Sequence, residues 1–294
     1  MHSPSSAHPN CDMDWTPGGR SGDLEDRRGD SGGGGFGLPH LGIGGLLLIG
    51  VLSLIFHKNF FALLSGGSAT TAPTTQTRPV NDAGEEREVQ FVSFVLDDVQ
   101  KTWAQTFAQQ GRTYRHAKLV LYRDSLPSGC GMARSATGPF YCPTDQKVYI
   151  DLGFFDELKR RFGAPGEFAQ AYVIAHELGH HVQNLLGIEQ RVEGAMRSGS
   201  KTQANAASVK LELQADCFAG VWGHSTEQRK MVDQGDFEAA MKAAAAVGDD
   251  RLERMAGQNV SPESFTHGSS EQRMHWFQQG FQSGDISACN TFGQ

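Results

Sequence analysis

The chain has no run of basic residues, and its 26 Lys and Arg are outnumbered by 33 Asp and Glu, for a net charge of −7. That balance argues against nucleic acid as a partner, which needs a concentrated positive face to displace counterions from phosphates. No internal repeat is evident, so the 294 residues are read as one sizeable domain with additions rather than as a repeat array. Aliphatic side chains are scarce in residues 1–38, where Gly, Ser, Pro, Asp and Arg dominate and the run Gly32 to Gly35 lies near the end. Such a segment cannot bury enough apolar surface to offset the entropy of ordering, and a disordered N-terminal tail is expected there.

Charge is then absent from Leu41 to Phe56, and after His57, Lys58 and Asn59 the apolar character resumes at Phe60 to Leu64. A span needs about 20 apolar residues, so residues 39–64 are expected to form a single-pass transmembrane anchor, followed by a Ser-, Thr-, Ala- and Pro-rich linker at 65–84. The long polar stretch before the apolar run disfavours a cleaved signal peptide. Arg20, Arg27 and Arg28 precede the run, while Lys58 follows at once and Arg78 further off. This bias expects the N terminus in the cytoplasm and residues 85–294 on the extracytoplasmic side. Cysteine is sparse too. Cys11 precedes the apolar run, which leaves Cys130, Cys142, Cys217 and Cys289 beyond it, an even set suited to an oxidising compartment. Three connectivities are possible. The favoured one joins Cys130 to Cys142, which bracket a Gly-rich turn, and Cys217 to Cys289.

What is present is a patterned apolar stretch, Ala171 to Leu186, that places His176, Glu177 and His180 in the pattern H-E-x-x-H. Residues four apart on a helix lie on one face about a turn apart, so both imidazoles can converge on one ion. Glu177 reaches the neighbouring position where a metal-bound water would sit, which makes it the candidate general base. Phe168, Tyr172, Ile174 and Ala175 lead in, and Leu178, Val182 and Leu185 continue the apolar positions up to a stop at Gly187. Gly179 costs a helix interior about 1 kcal/mol relative to Ala, and a small residue there implies a close neighbour. His181 is rotated about 100° from His180 and is not expected to be a ligand. Downstream, Leu211 to Gly220 places Glu212 and Asp216 four apart on a second helical segment. Catalytic zinc takes three protein ligands and keeps one position open, so Glu212 is the third candidate, and Asp216 can accept a hydrogen bond from the free ring nitrogen of a ligating His. Leu211, Leu213, Phe218, Val221 and Trp222 nearby speak against a solvated acidic face. His224 is a weaker candidate for the same site.

H-E-L-G-H followed by E-x-x-A-D resembles the gluzincin zinc metallopeptidases, in the thermolysin-like arrangement and more closely in the membrane proteases of the prenyl-protein and heat-shock type. The block Thr266 to Arg273 is similar to the T-H-P-x-x-x-x-R block of that second group, with Gly268 where those proteins carry Pro. Together with C-G…S-A-T-G-P-F-Y-C-P-x-D-Q-K-V-Y-x-D-L-x-F-F at 130–155, the chain resembles the bacterial neutral zinc metallopeptidases from about residue 80 to 294. The resemblance implies Zn2+ at His176, His180 and Glu212 with Glu177 as base, and His267 and Arg273 holding the substrate carbonyl or its oxyanion. The metzincin variant is excluded, because it needs Gly at 183 and His at 186, where this chain has Gln183 and Leu186.

The expected fold class is α+β: a mostly helical zincin-like metalloprotease domain over 85–294 with a small β-sheet beside the active-site helix, plus the N-terminal transmembrane helix. Phe91, Val95, Val99, Trp103 and Phe107 recur every four residues and predict a helix over 85–109. Lys118 to Tyr122 and Lys147 to Asp151 read as strands, and 147–151 is a candidate either for pairing with extended substrate or for a core strand. Residues 187–204 read as a polar loop, 227–256 as packing helices, and Met274, Trp276, Phe277 and Phe281 as a closing amphipathic helix. The expected activity is peptide-bond hydrolysis of a protein or peptide substrate by a membrane-anchored zinc metalloendopeptidase. The competing expectation is a membrane-anchored envelope binding or scaffold protein in which zinc is structural.

Overall fold

The computed structural model describes residues 13–30, 83–135, 138–164 and 166–293. The first long element, α1 (Ala83–Gln109), buries Phe91, Val95, Val99, Trp103 and Phe107 along one stripe, as the four-residue spacing predicts. A four-stranded sheet follows in the order β1 (Leu24–Asp26), β2 (Lys118–Tyr122), β6 (Lys147–Asp151), β5 (Phe140–Cys142), and β3 (Ser125–Ser128) pairs with β4 (Gly131–Arg134) as a separate hairpin. The pairs β1–β2 and β2–β6 are parallel, and β5–β6 is antiparallel. The strand read at 147–151 is therefore flanked on both sides. Its backbone is committed to the sheet, and among the described residues the edges are β1 and, beside β6, β5.

Residues 13–30 lie within the stretch read as a disordered tail, yet they pack on the domain. Met13 is buried, Trp15 packs edge-on against Phe91 and at a tilt against Phe94, and the Trp15 indole N–H donates to Glu167 at 2.8 Å. Leu24, Glu25 and Asp26 align with Leu119, Val120 and Leu121. The buried Arg28 guanidinium bridges Asp26 at 2.8 Å and Glu85 at 2.9 Å. Two aromatic contacts and an ion-pair knot supply what the composition of the stretch hides.

This docking corrects the expected topology. A single crossing between residues 30 and 83 would put β1 and β2 on opposite sides of a bilayer, whereas they are hydrogen-bonded neighbours. No helix among the described residues is long and apolar enough to cross a membrane. The anchor expected at 39–64 and most of the linker expected at 65–84 lie outside the described residues. The single-pass anchor, with a cytoplasmic N terminus and an extracytoplasmic domain, is withdrawn. The fold class becomes a mixed helix-and-sheet domain without the transmembrane helix.

After the sheet the chain forms α2 (Gly153–Arg160), α3 (Glu167–Leu185), α4 (Ile188–Ser198), α5 (Lys201–Gln228), α6 (Gln234–Ala246), α7 (Asp249–Met255) and α8 (Ser270–Ser283). The polar stretch read as a loop at 187–204 holds α4 and the start of α5. Val192 anchors α4, and Ser200 with Gln203 forms a capping box that starts α5. Two close crossings set the helix register. A Cβ on Gly179 would lie 3.0 Å from the Ala215 carbonyl oxygen, and one on Gly280 would lie 1.9 Å from that of Cys217. The first crossing explains the glycine between the two histidines, since α5 runs against α3 at that point. Disulfides join Cys130 to Cys142 and Cys217 to Cys289, and the second ties the C-terminal end to α5.

Candidate metal centre

The core-facing residues of α3 are apolar on nearly every side, so the helix is buried and its polar residues must find partners inside the protein. His176 Nδ1 lies 2.9 Å from Asp216 Oδ1, and His180 Nδ1 lies 2.9 Å from the Gln183 side-chain oxygen. An acceptor at each Nδ1 favours a proton there and turns each Nε2 towards the site, where its lone pair serves a metal once Nε2 is deprotonated. Both Nε2 atoms face one carboxylate: Glu212 Oε2 is 3.2 Å from His176 and Glu212 Oε1 is 3.6 Å from His180. One ligand atom from each of the three residues lies within 4.8 Å of the others. Two lone pairs and a carboxylate converging on one point, each held from behind, fit a divalent cation of borderline softness such as zinc.

The electrostatics agree with a site that favours positive charge. Burial would lower the His180 pKa, but the Glu212 charge outweighs it and pushes His180 up to about 10. Burial likewise works against the charged form of Glu212, yet His180 and His176 hold its carboxyl well below the ordinary range. Glu177 is different. Burial pushes its carboxyl up, with His176 and His180 opposing. Glu177 lines the same cleft of about 370 Å³ as the three ligand candidates and His267.

The remaining sequence candidates separate. Asp216 is fully buried and accepts from the Tyr172 hydroxyl, His176, and Arg273 Nε at 2.8 Å and Nη2 at 2.9 Å. Arg273 thus holds Asp216 from behind while lining the cleft, with Nη2 also 3.3 Å from His176 Nδ1. His267 sits at the rim, its Nδ1 3.0 Å from Asp249 Oδ1. Asp249 Oδ2 also accepts the backbone N–H of Thr266, His267 and Gly268, a cradle that the motifs do not reveal. Gly268 has φ of 90° and donates its N–H, two things a proline cannot do, which accounts for glycine in that block. His181 turns away to Tyr141 at 3.0 Å and the Arg115 carbonyl at 2.6 Å. His224 bonds the Phe281 carbonyl, away from the cluster. Tyr172, Gln183 and Asp249 are the site residues that sequence reasoning passed over. Gln183, one turn after His180, is the one that spacing could have found.

The sequence matches the family described as "Putative neutral zinc metallopeptidase" over residues 13–292. The chain belongs to this family. The match begins within the docked N-terminal segment, well before residue 80. Among similar proteins, YpfJ of Escherichia coli (strain K12) is 47% identical over 290 residues, covering 96% of this chain and 99% of that protein. Rv2575 of Mycobacterium tuberculosis (strain H37Rv) is 43% identical over 194 residues, covering 61% of this chain and 63% of its own length. No solved structure matches the chain.

Proposed function

We propose that the protein is a zinc-dependent endopeptidase, with His176, His180 and Glu212 as ligands and Glu177 as general base. The observation that carries this reading is that two Nε2 lone pairs, each fixed by an acceptor at Nδ1, face one carboxylate at the wall of an open cleft. A structural site would close its fourth side with protein, and here the fourth side is the cleft. When bound, zinc supplies Lewis-acid polarisation of a carbonyl and acidifies water. Glu177 takes the proton from the attacking water and returns it to the leaving amine. His267, held through Nδ1 by Asp249, whose contact favours the imidazolium, donates Nε2–H to the developing oxyanion. Asp216 and Gln183 hold the two imidazoles, and Arg273 acts as a positioning residue through Asp216. Phe140 and Tyr141 of the edge strand β5 line the cleft, which suits an extended polypeptide laid beside it. The motif likeness to prenyl-protein and heat-shock proteases enters this reading only through the ligand spacing.

The test is hydrolysis of unfolded casein by the full chain, with zinc content measured in parallel. One zinc per chain, loss of hydrolysis on chelation and its return with added zinc are expected. Stoichiometric zinc with no hydrolysis across varied polypeptides would sink the peptidase reading and leave a binding protein.

A further inference from the structure

The cleft is longer than the cluster it contains. It follows α3 from Val173 through His176, Glu177 and His180 to Gln183, a run of ten helical steps that spans about 15 Å. Its two ends differ in chemistry. Around Val173 stand Phe162, Val247 and Leu252, drawn together where Arg251 Nη2 donates to the Phe162 carbonyl at 2.9 Å and Arg273 Nη1 to the Val247 carbonyl at 3.4 Å. Around Gln183 stand Ser208, Leu211 and Glu189, with Gln183 Nε2 donating to the Leu211 carbonyl at 2.7 Å.

Glu189 lies in the first turn of α4, and its Oε2 is enclosed with no hydrogen-bond donor among the described residues. An acid in that turn serves the helix dipole equally well from an exposed position. Enclosing it at the cleft wall leaves a desolvated carboxyl whose Oε2 no hydrogen bond satisfies, with the His180 imidazole as the opposing charge nearby. Two cations of the cleft lining are already engaged: Arg273 is committed to Asp216, and His180 faces Glu212.

We infer that the cleft selects polypeptides with a Lys or Arg side chain on the Glu189 side of the cleaved bond and a large apolar side chain on the Val173 side. This inference rests on the peptidase reading for the word "cleaved" and on the cleft alone for the selectivity. A long cationic stem suits the position, because it can lay methylenes along Leu211 while its head meets the carboxylate.

The test uses the zinc-loaded full chain and N-acetylated, C-amidated quenched peptides, each with one Phe and, on the other side of the bond, Lys, Gln or Glu in turn. The expected kcat/KM for the Lys peptide exceeds that for the Gln peptide by about tenfold, mainly through KM, with the Glu peptide poorest. Glu189→Gln should collapse the Lys-to-Gln ratio towards one, and Glu189→Lys should invert the order to favour the Glu peptide. Equal rates for the three peptides, or a Lys preference that survives both substitutions, would overturn the inference. Should no peptide be cut, the peptidase reading fails, and the selectivity is read from fluorescence anisotropy of labelled Lys and Glu peptides on the zinc-loaded Glu177→Gln chain. Tighter Lys binding that disappears on adding Glu189→Gln upholds it, and equal affinities refute it.

Discussion

One wall of the cleft is built from helices tied together by buried charge, and the other from the edge of a sheet beside a two-stranded hairpin. On the helical wall, Asp216 gathers Tyr172, His176 and Arg273, so a single carboxylate links α3, α5 and α8. On the strand wall, Tyr141 receives a hydrogen bond from Asn184 at 2.9 Å and meets His181 at 3.0 Å, while Gly129 at the hairpin turn donates to Asp145 at 2.7 Å. Each wall also holds one disulfide, closing a separation of 72 residues on the helical side and of 12 on the strand side. The difference teaches where precision is needed. Ligand atoms must be held to fractions of an ångström, whereas a wall that receives extended chain has only to present a backbone edge and side-chain pockets.

The largest effect should come from chemistry confined to the helical wall. Glu177→Gln should lower turnover by about 10²- to 10⁴-fold while zinc content stays at wild-type level. Equal hydrolysis by the two forms removes the base assignment. Next, Arg273→Ala leaves the Asp216 charge buried without its cation and should cost about 3–5 kcal/mol in urea unfolding. On the opposite wall, Tyr141→Phe should cost only about 1–2 kcal/mol, the loss of one neutral hydroxyl's bonds. Similar costs for the two would erase the contrast between the walls.

The disulfides sharpen the comparison by less. Loop-closure entropy gives about 4 kcal/mol for replacing Cys217 and Cys289 together and about 3 kcal/mol for Cys130 and Cys142, and thermal melts of the two double variants measure the difference. The smallest effect lies at the rim. Burial works against the charged forms of both Asp249 and His267, but their contact holds Asp249 below 3.8 and His267 above 6.5. Asp249 then contributes stability present above 3.8 and lost as pH falls through its folded value. His267 contributes stability complete below 6.5 and lost as pH rises through its folded value. In metal-free protein the pair should therefore stabilise most between about 3.8 and 6.5, and Asp249→Asn should flatten that window by about 1 kcal/mol. A stability-against-pH curve unchanged by the substitution would separate His267 from Asp249.

Local pattern carried the helical wall well. The four-residue spacing of His176 and His180, and of Glu212 and Asp216, is a statement about helix faces, and the structure brings these side chains together. The glycine between the histidines announced a close neighbour, which proved to be α5 at Ala215. The strands at 118–122 and 147–151 were legible from their β-branched and aromatic runs, but their order was not. Which strand takes the edge depends on pairings between segments far apart in the chain, so β5 and not β6 flanks the cleft. Asp249 and Glu189 escaped notice for the same reason, since neither sits at a telling distance from the histidines along the sequence.

The N-terminal stretch marks the boundary most sharply. Its composition pointed to a tail, and the apolar run after it pointed to a membrane span, because both readings weigh residues one window at a time. Only the assembled fold supplies a waiting sheet edge at β2, the aromatic faces of Phe91 and Phe94, and the Glu85 carboxylate for Arg28. The sequence by itself determined which side chains could share a helix face and hence a metal. Tertiary structure decided what those faces meet, because a docking surface exists only once its parts have been brought together from across the chain.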